Sequence, residues 1–176
     1  MQENRRLSVK QRKETIYRMD KSGHIKIEYM TLAHLEDVYA IELNSFSIPW
    51  EKEDFIKELN ENKMAIYIVA FLDDEIVGYG GMWHIINEGH ITNIAASEQY
   101  RRRGIGTAIL RRMIEIANEK EMIGITLEVR VGNESAMKLY SKFGFKAEGL
   151  RKNYYTDTKE DAVIMWKDLM RCEKQS

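Results

Sequence analysis

A chain of 176 residues with 44% hydrophobic and 31% charged side chains has the length and make-up of one domain that buries its own core. Its formal net charge of −1 supplies no whole-molecule field for nucleic acid or an anionic membrane, and its single cysteine, Cys172, excludes an internal disulfide framework. No stretch approaches the roughly 18 apolar residues of a membrane span and no apolar run follows the basic N-terminus, so a cytoplasmic protein is expected, neither exported nor inserted.

Residues 1–22 carry Arg5, Arg6, Lys10, Arg12 and Lys13 in a polar, weakly periodic text and read as an appended extension, disordered or loosely helical. The domain is expected over 23–170, with a polar tail at 171–176. From His24 the pattern changes: Ile25 and Ile27 alternate as in a strand, and after Thr31, a cap candidate, Leu35, Val38, Tyr39 and Glu42 recur at helical spacing. A second short helix follows Pro49, with Phe55, Ile56 and Leu59 turned inward. Ala65 to Leu72 and Ile76 to Trp83 are apolar strand texts joined by Asp73, Asp74 and Glu75, a hairpin signal.

His90 to Ala96 adds a strand, Ile105, Ile109, Met113, Ile114 and Ala117 mark a helix, and Ile123 to Val131 is a strand again. Asn133 can cap a helix that buries Ala136, Leu139, Tyr140 and Phe143 and ends at Gly144. Two strands, Phe145 to Tyr154 and Asp161 to Leu169, close the order β-α-α-β-β-β-α-β-α-β-β. With no internal repeat, this order implies an α/β domain of three layers, a mixed sheet of about seven strands with helices on both faces.

The densest chemical signal lies between Ile91 and Leu110, where a strand passes through Arg101, Arg102, Arg103, Gly104 and Gly106 into a helix. Amides at a helix start lack internal partners and carry the positive end of the dipole, and glycines admit a bulky anion to the backbone, so the segment suits phosphate. A dinucleotide fingerprint would need glycine where Ile109 stands, and a P-loop would need Gly-Lys-Ser/Thr; both fail. The remaining alternative is a turn whose glycines serve backbone geometry alone.

One strand and one helix further on stand Leu127-Glu128-Val129-Arg130 and Asn133-x-x-Ala136-x-x-Leu139-Tyr140-x-x-x-Gly144-Phe145. Together with Asn93-Ile94-Ala95-Ala96 and Arg101-x-x-Gly104-x-Gly106, they resemble the cofactor-binding core of the GNAT acetyltransferase superfamily over roughly Ile25 to Leu169. Phe46-x-x-Pro49-Trp50, Leu127-Glu128-Val129-Arg130, Asn153-Tyr154-Tyr155 and Glu160-Asp161-Ala162 are most similar to the RimI-type protein N-terminal acetyltransferases. Two departures are that Arg101 stands where glutamine is also common, and that the N-terminal extension has no counterpart in the family core.

The resemblance implies transfer of an acetyl group from acetyl-CoA, as co-substrate, to the N-terminal amine of a protein or peptide, by the RimI likeness a ribosomal protein beginning with alanine. It implies that Ile94, Ala95 and Ala96 present backbone groups to the acetyl-pantetheine arm where their strand bulges and parts from its neighbour. Arg101, Arg102, Arg103, Gly104, Ile105, Gly106 and Thr107 would surround the pyrophosphate, and Asn133 would reach the pantetheine or adjacent phosphate. Glu128 becomes the general base and Tyr140 the acid for the leaving thiolate. A carboxylate inside Ile125-Thr-Leu-Glu-Val129 is costly to bury without a partner, so its structural alternative is an ion pair with Arg130 or Lys152; for Tyr140 the alternative is core packing. Phe46, Trp50, Tyr154 and Tyr155 would wall an acceptor slot.

His24, His34, His84 and His90 show no metal-ligand pairing, so no metal is expected, and the methionines read as core filler. Arg111 and Arg112 read as a solvated helix face or a contact for the ribose phosphate. An α-amine, with pKa near ~8 against ~10.4 for lysine, suits a single carboxylate base. An acetyltransferase for a small-molecule amine or lysine side chain, and a non-catalytic acyl-CoA-binding regulator, remain alternatives. No direct nucleic acid or membrane partner is expected.

Overall fold

Strand pairing dominates the computed structural model, which describes residues 15–18 and 24–170. Eight strands form one sheet: β1 (Thr15–Arg18), β2 (His24–Tyr29), β3 (Ala65–Leu72), β4 (Glu75–Ile85), β5 (Glu88–Ala96), β6 (Gly124–Arg130), β7 (Lys146–Tyr155) and β8 (Glu160–Asp168). The spatial order is β1-β2-β3-β4-β5-β6-β8-β7. Every pair is antiparallel except β5 with β6, the strands joined through a helical crossover.

Four helices complete the domain: α1 (Leu35–Ser45), α2 (Lys52–Asn60), α3 (Ile105–Glu119) and α4 (Glu134–Lys142). The central strands are buried on both faces. Along β3, Ile66, Ile68, Ala70 and Leu72 enter one core, shared with Ile105, Ile109 and Met113 of α3. The alternate residues Tyr67 and Val69 enter a second core with Val38 and Ile41 of α1 and Phe55 of α2. Leu139 and Tyr140 of α4, with its C-cap Phe143, pack against the first core, so α3 and α4 cover one face and α1 and α2 the other. α3 comes close to β4 because Gly80 has no side chain: a Cβ there would lie 2.5 Å from the Met113 Cε and 2.7 Å from the Ile109 Cγ2.

Three expectations are corrected. The sheet has eight strands because Thr15–Arg18, assigned to the extension, pairs with β2 in the register Thr15 with Ile27 to Arg18 with His24. Four residues among charges carry too little periodicity to announce a strand; backbone pairing along the β2 edge and the packing of Tyr17 against the core make it one. Arg112 is not solvated: it is 3% exposed, with Nη1 2.8 Å from the Glu119 Oε1 and 3.3 Å from the Glu115 Oε2, while the Tyr17 hydroxyl donates to that Glu115 oxygen at 2.6 Å. Finally, Ile56 is exposed and the inward residues of α4 are only half-buried, since α4 lies over the sheet's rim. The other residues of the extension and tail, Cys172 included, lie outside the described residues.

Candidate active site

β5 and β6 pair only from Glu88 with Gly124 to Ile91 with Leu127. Beyond that point β5 stays on β4 and β6 stays on β8, where Glu128, Val129 and Arg130 face Ile164, Val163 and Ala162. The parting begins at a bulge: Met82 pairs with Ile91 and Gly81 with Asn93, leaving Thr92 without an opposite number. Asn93, Ile94, Ala95 and Ala96 therefore carry backbone groups toward a cleft in which β6 offers them no ladder. An extended amide-bearing arm fits such a cleft by adding the missing hydrogen bonds.

β5 leads through a short turn at Glu98–Tyr100 to the glycine loop. Arg102 and Gly104 both adopt left-handed backbone, at φ 60° and 82°, and Gly104 is the N-cap of α3. No side chain caps that helix, so the amides of Ile105, Gly106 and Thr107 have no capping acceptor among the described residues. Ala108 N–H is the first amide bonded back, to the Gly104 carbonyl at 2.9 Å. Such an end holds a diphosphate through amides and dipole. Arg101 lies 3.5 Å from Glu98, Arg103 lies over the Tyr100 ring at 5.3 Å, and Arg102 is exposed, so three cations ring the loop. Leu139 of α4 reaches within 3.6 Å of where a Gly106 Cβ would stand, placing α4 beside this loop. The Asn133 Oδ1 accepts from Ala136 N–H at 3.1 Å as the cap of α4, which leaves its amide group for a ligand.

Glu128 and Tyr140 stand on opposite sides of β6. Leu127 and Val129 point into the α3–α4 core, so Glu128 points to the other side, a quarter exposed, with its Oε1 3.3 Å from the Arg151 Nη2. The partner is thus neither Arg130 nor Lys152: Arg130 is held elsewhere, and Arg151 reaches across from β7. Tyr140 packs against Phe145 at 5.8 Å between ring centroids. Burial, with the nearby Tyr155 phenol, pushes its hydroxyl up to about 12, so it stays neutral at physiological pH. Tyr155 lies within electrostatic range of both Tyr140 and Glu128, and burial raises its own phenol above the ordinary value.

The other wall comes from the loop between α1 and α2 and from the β7–β8 hairpin. Phe46 caps α1 and packs, like Trp50, against the second core; Trp50 stands 5.6 Å from Phe55. Tyr154 and Tyr155 meet edge to face at 5.2 Å, Tyr154 exposed and Tyr155 half-buried. Residues that the motifs did not indicate tie these parts together. Ser47 Oγ donates to the Asp157 carboxylate in the β7–β8 turn, joining the two loops. Arg130 Nη2 holds the same carboxylate at 2.8 and 3.1 Å, its Nη1 reaches Thr158 at 2.7 Å, and its guanidinium lies 3.8 Å over the Tyr155 ring. The Ser47 hydroxyl, backed by Arg130, holds Asp157 down to about 2. Ser47 and Asp157 lie 110 residues apart in an unremarkable local text, so no spacing could have paired them. Among the described residues no group of three or more His, Cys, Asp or Glu is placed to hold a metal ion, and no helix is long and apolar enough to cross a membrane.

Residues 35–145 match the acetyltransferase (GNAT) family. The chain is 44% identical over 140 residues to a Bacillus subtilis protein assigned as a ribosomal protein bS18-alanine N-acetyltransferase, covering 80% of this chain and 93% of that one. It is 38% identical over 152 residues to an N-alpha-acetyltransferase of Sulfurisphaera tokodaii, covering 76% and 88%. The crystal structure of the ribosomal-protein-S18-alanine N-acetyltransferase from Escherichia coli shares the fold with a TM-score of 0.77 at 28% identity, over 86% of this chain and 99% of that chain.

Proposed function

Since the chain belongs to the GNAT acetyltransferase family, we propose that it moves the acetyl group of acetyl-CoA to the α-amine of a protein N-terminus. The acceptor class is a ribosomal protein beginning with alanine, which the names of its relatives suggest. The observation that carries the reaction is the cleft between β5 and β6, with an acidic side chain on one side of β6 and a neutral phenol on the other.

With the pyrophosphate on the amides of Ile105, Gly106 and Thr107, the acetyl-pantetheine arm lies along Ile94, Ala95 and Ala96. An ammonium cannot attack, so Glu128 accepts its proton, directly or through one water. The amine lone pair forms the C–N bond, and the carbonyl electrons move to an oxygen held by a β5 amide, a donor worth on the order of 3 kcal/mol. The attacking nitrogen gives its second proton to solvent as collapse breaks the C–S bond and releases coenzyme A thiolate on the Tyr140 side. Full proton transfer from a phenol near 12 to a thiolate whose ordinary pKa is ~8.5 is uphill by about 5 kcal/mol. Tyr140 therefore acts chiefly by donating a charge-assisted O–H···S hydrogen bond, with solvent supplying the proton to the departed thiol. Phe46, Trp50, Tyr154 and Tyr155 line the acceptor slot, and the Ser47–Asp157 contact joins the two loops that carry them.

The test offers three amines with acetyl-CoA and measures thiol release: a peptide with free N-terminal alanine, the same peptide N-blocked with an internal lysine, and spermidine. Turnover of the first alone is expected. Reaction of the blocked peptide or spermidine while the free N-terminus is ignored would overturn the proposal.

A further inference from the structure

We infer that Glu42 is a positioning residue for the acceptor, bracketing the α1–α2 loop so that Trp50 and Phe46 are held against the slot. The inference rests on the proposed function in taking that loop as the acceptor's wall.

Glu42 belongs to the helical spacing of α1, which turns it inward with Val38 and Ile41, and it is 1% exposed. Among the described residues no lysine or arginine pairs with its carboxylate. A carboxylate in an aromatic core is expensive, and a leucine would fill the space without that cost, so its hydrogen bonds define its role. The carboxylate makes two, one to the loop and one to the sheet, and the Glu42 backbone makes a third at the end of α1. The Glu42 Oε1 accepts the Trp50 backbone N–H at 2.9 Å, its Oε2 accepts the Tyr79 hydroxyl, and its carbonyl accepts the Phe46 N–H at 3.1 Å. One residue thus ties both ends of the segment 46–50, which contains no helix or strand. Tyr79 fixes the carboxylate in turn: it is fully buried on β4, opposite Ala95 of the cleft strand. The anchor therefore transmits the position of β4 and β5 to the loop. Burial raises the Glu42 carboxyl above its ordinary value, and the Trp50 and Tyr79 donors offset part of that rise.

The assignment separates acceptor from cofactor because α1 and α2 lie on the sheet face opposite α3 and α4. It also separates a hydrogen-bonding role from a titrating one. In Glu42→Gln the amide oxygen can still accept from Trp50 N–H while the amide nitrogen donates to the Tyr79 oxygen, so the loop keeps its anchor. In Glu42→Leu both contacts vanish and the volume stays filled.

Steady-state kinetics are measured with both substrates varied. Glu42→Gln is expected to hold the acceptor KM within about twofold of wild type, and Glu42→Leu to raise it about tenfold or more with the acetyl-CoA KM unchanged. Equal rises in both KM values, an unchanged acceptor KM in Glu42→Leu, or a Gln variant as impaired as Leu would each overturn the inference. If Glu42→Leu fails to fold, hydrogen exchange of wild type and Glu42→Gln decides: the Trp50 amide is expected to be protected in both, and rapid exchange in wild type overturns the anchor. Should the wild type refuse peptides and accept another amine, the proposed function fails, while the KM split is read with that amine.

Discussion

Replacing Glu128 by Gln isolates one negative charge. The side chain is a quarter exposed and faces away from the core, and its partner Arg151 is half exposed, so the lost ion pair is worth about 0.2–1 kcal/mol. For a domain of this size the melting temperature should fall by no more than ~2–4 °C. Acetyl-CoA affinity should be unchanged, because the proposed pyrophosphate site lies at the start of α3, away from Glu128. Turnover should fall about 10²–10⁴-fold at neutral pH, the usual contribution of a positioned base. The loss should also depend on pH in a calculable way. An α-amine of pKa ~8 is about one-tenth free base at pH ~7 and nine-tenths at pH ~9, so the variant's rate should climb about tenfold over that interval as the substrate supplies its own neutral amine. Stopped-time thiol release across that range, beside calorimetric titration of acetyl-CoA, measures both. A variant with near-normal turnover at pH ~7, or one whose rate stays flat to pH ~9, would refute the assignment of Glu128 as base.

Tyr140→Phe keeps the ring against Phe145 and removes the hydrogen bond proposed to the leaving thiolate, so kcat should drop about 10–100-fold with little change in melting temperature. The phenol sits near 12, above its unfolded value, so its contribution to stability is present below pH ~10 and lost as pH rises through ~12; the alkaline limb of kcat should not come from it, and a limb below pH ~10 that disappears in Tyr140→Phe would contradict this. Gly106→Ala places its methyl 3.6 Å from Leu139, an ordinary contact, in the first turn of a helix; calorimetry should show equal or higher stability, by up to ~1 kcal/mol, while acetyl-CoA affinity falls at least about tenfold, and unchanged affinity would move the pyrophosphate elsewhere. Tyr17→Phe removes the hydroxyl that donates to Glu115 and should cost about 1–2 kcal/mol in denaturant unfolding; no change would mean that β1 adds nothing through that contact.

The helices and strands with long periodic runs were legible from the sequence, and so was the order of strand, glycine-arginine loop and helix; the parting of β5 from β6 was implied only by the family resemblance. What escaped was whatever depended on tertiary partners. Thr15–Arg18 is a strand only because the β2 edge stands beside it. Arg112 carries a surface-like neighbourhood in sequence, yet Glu115, Glu119 and Tyr17 enclose it. Glu128 needed a cation, and sequence proximity suggested Arg130 or Lys152; the β6-β8-β7 order brings Arg151 instead and leaves Arg130 to Asp157. Glu42 shows the converse case. Its inward register was visible in the helical spacing, but the donors that explain a buried carboxylate come from residues eight and 37 positions away.

The proposed acceptor is tested most directly by mass spectrometry of N-terminal peptides from cells with and without this protein. Loss of acetylation confined to protein N-termini, with a ribosomal protein beginning in alanine among them, is the expected result. N-terminal acetylation unchanged by the protein's removal, with lysine or polyamine acetylation lost instead, would contradict it.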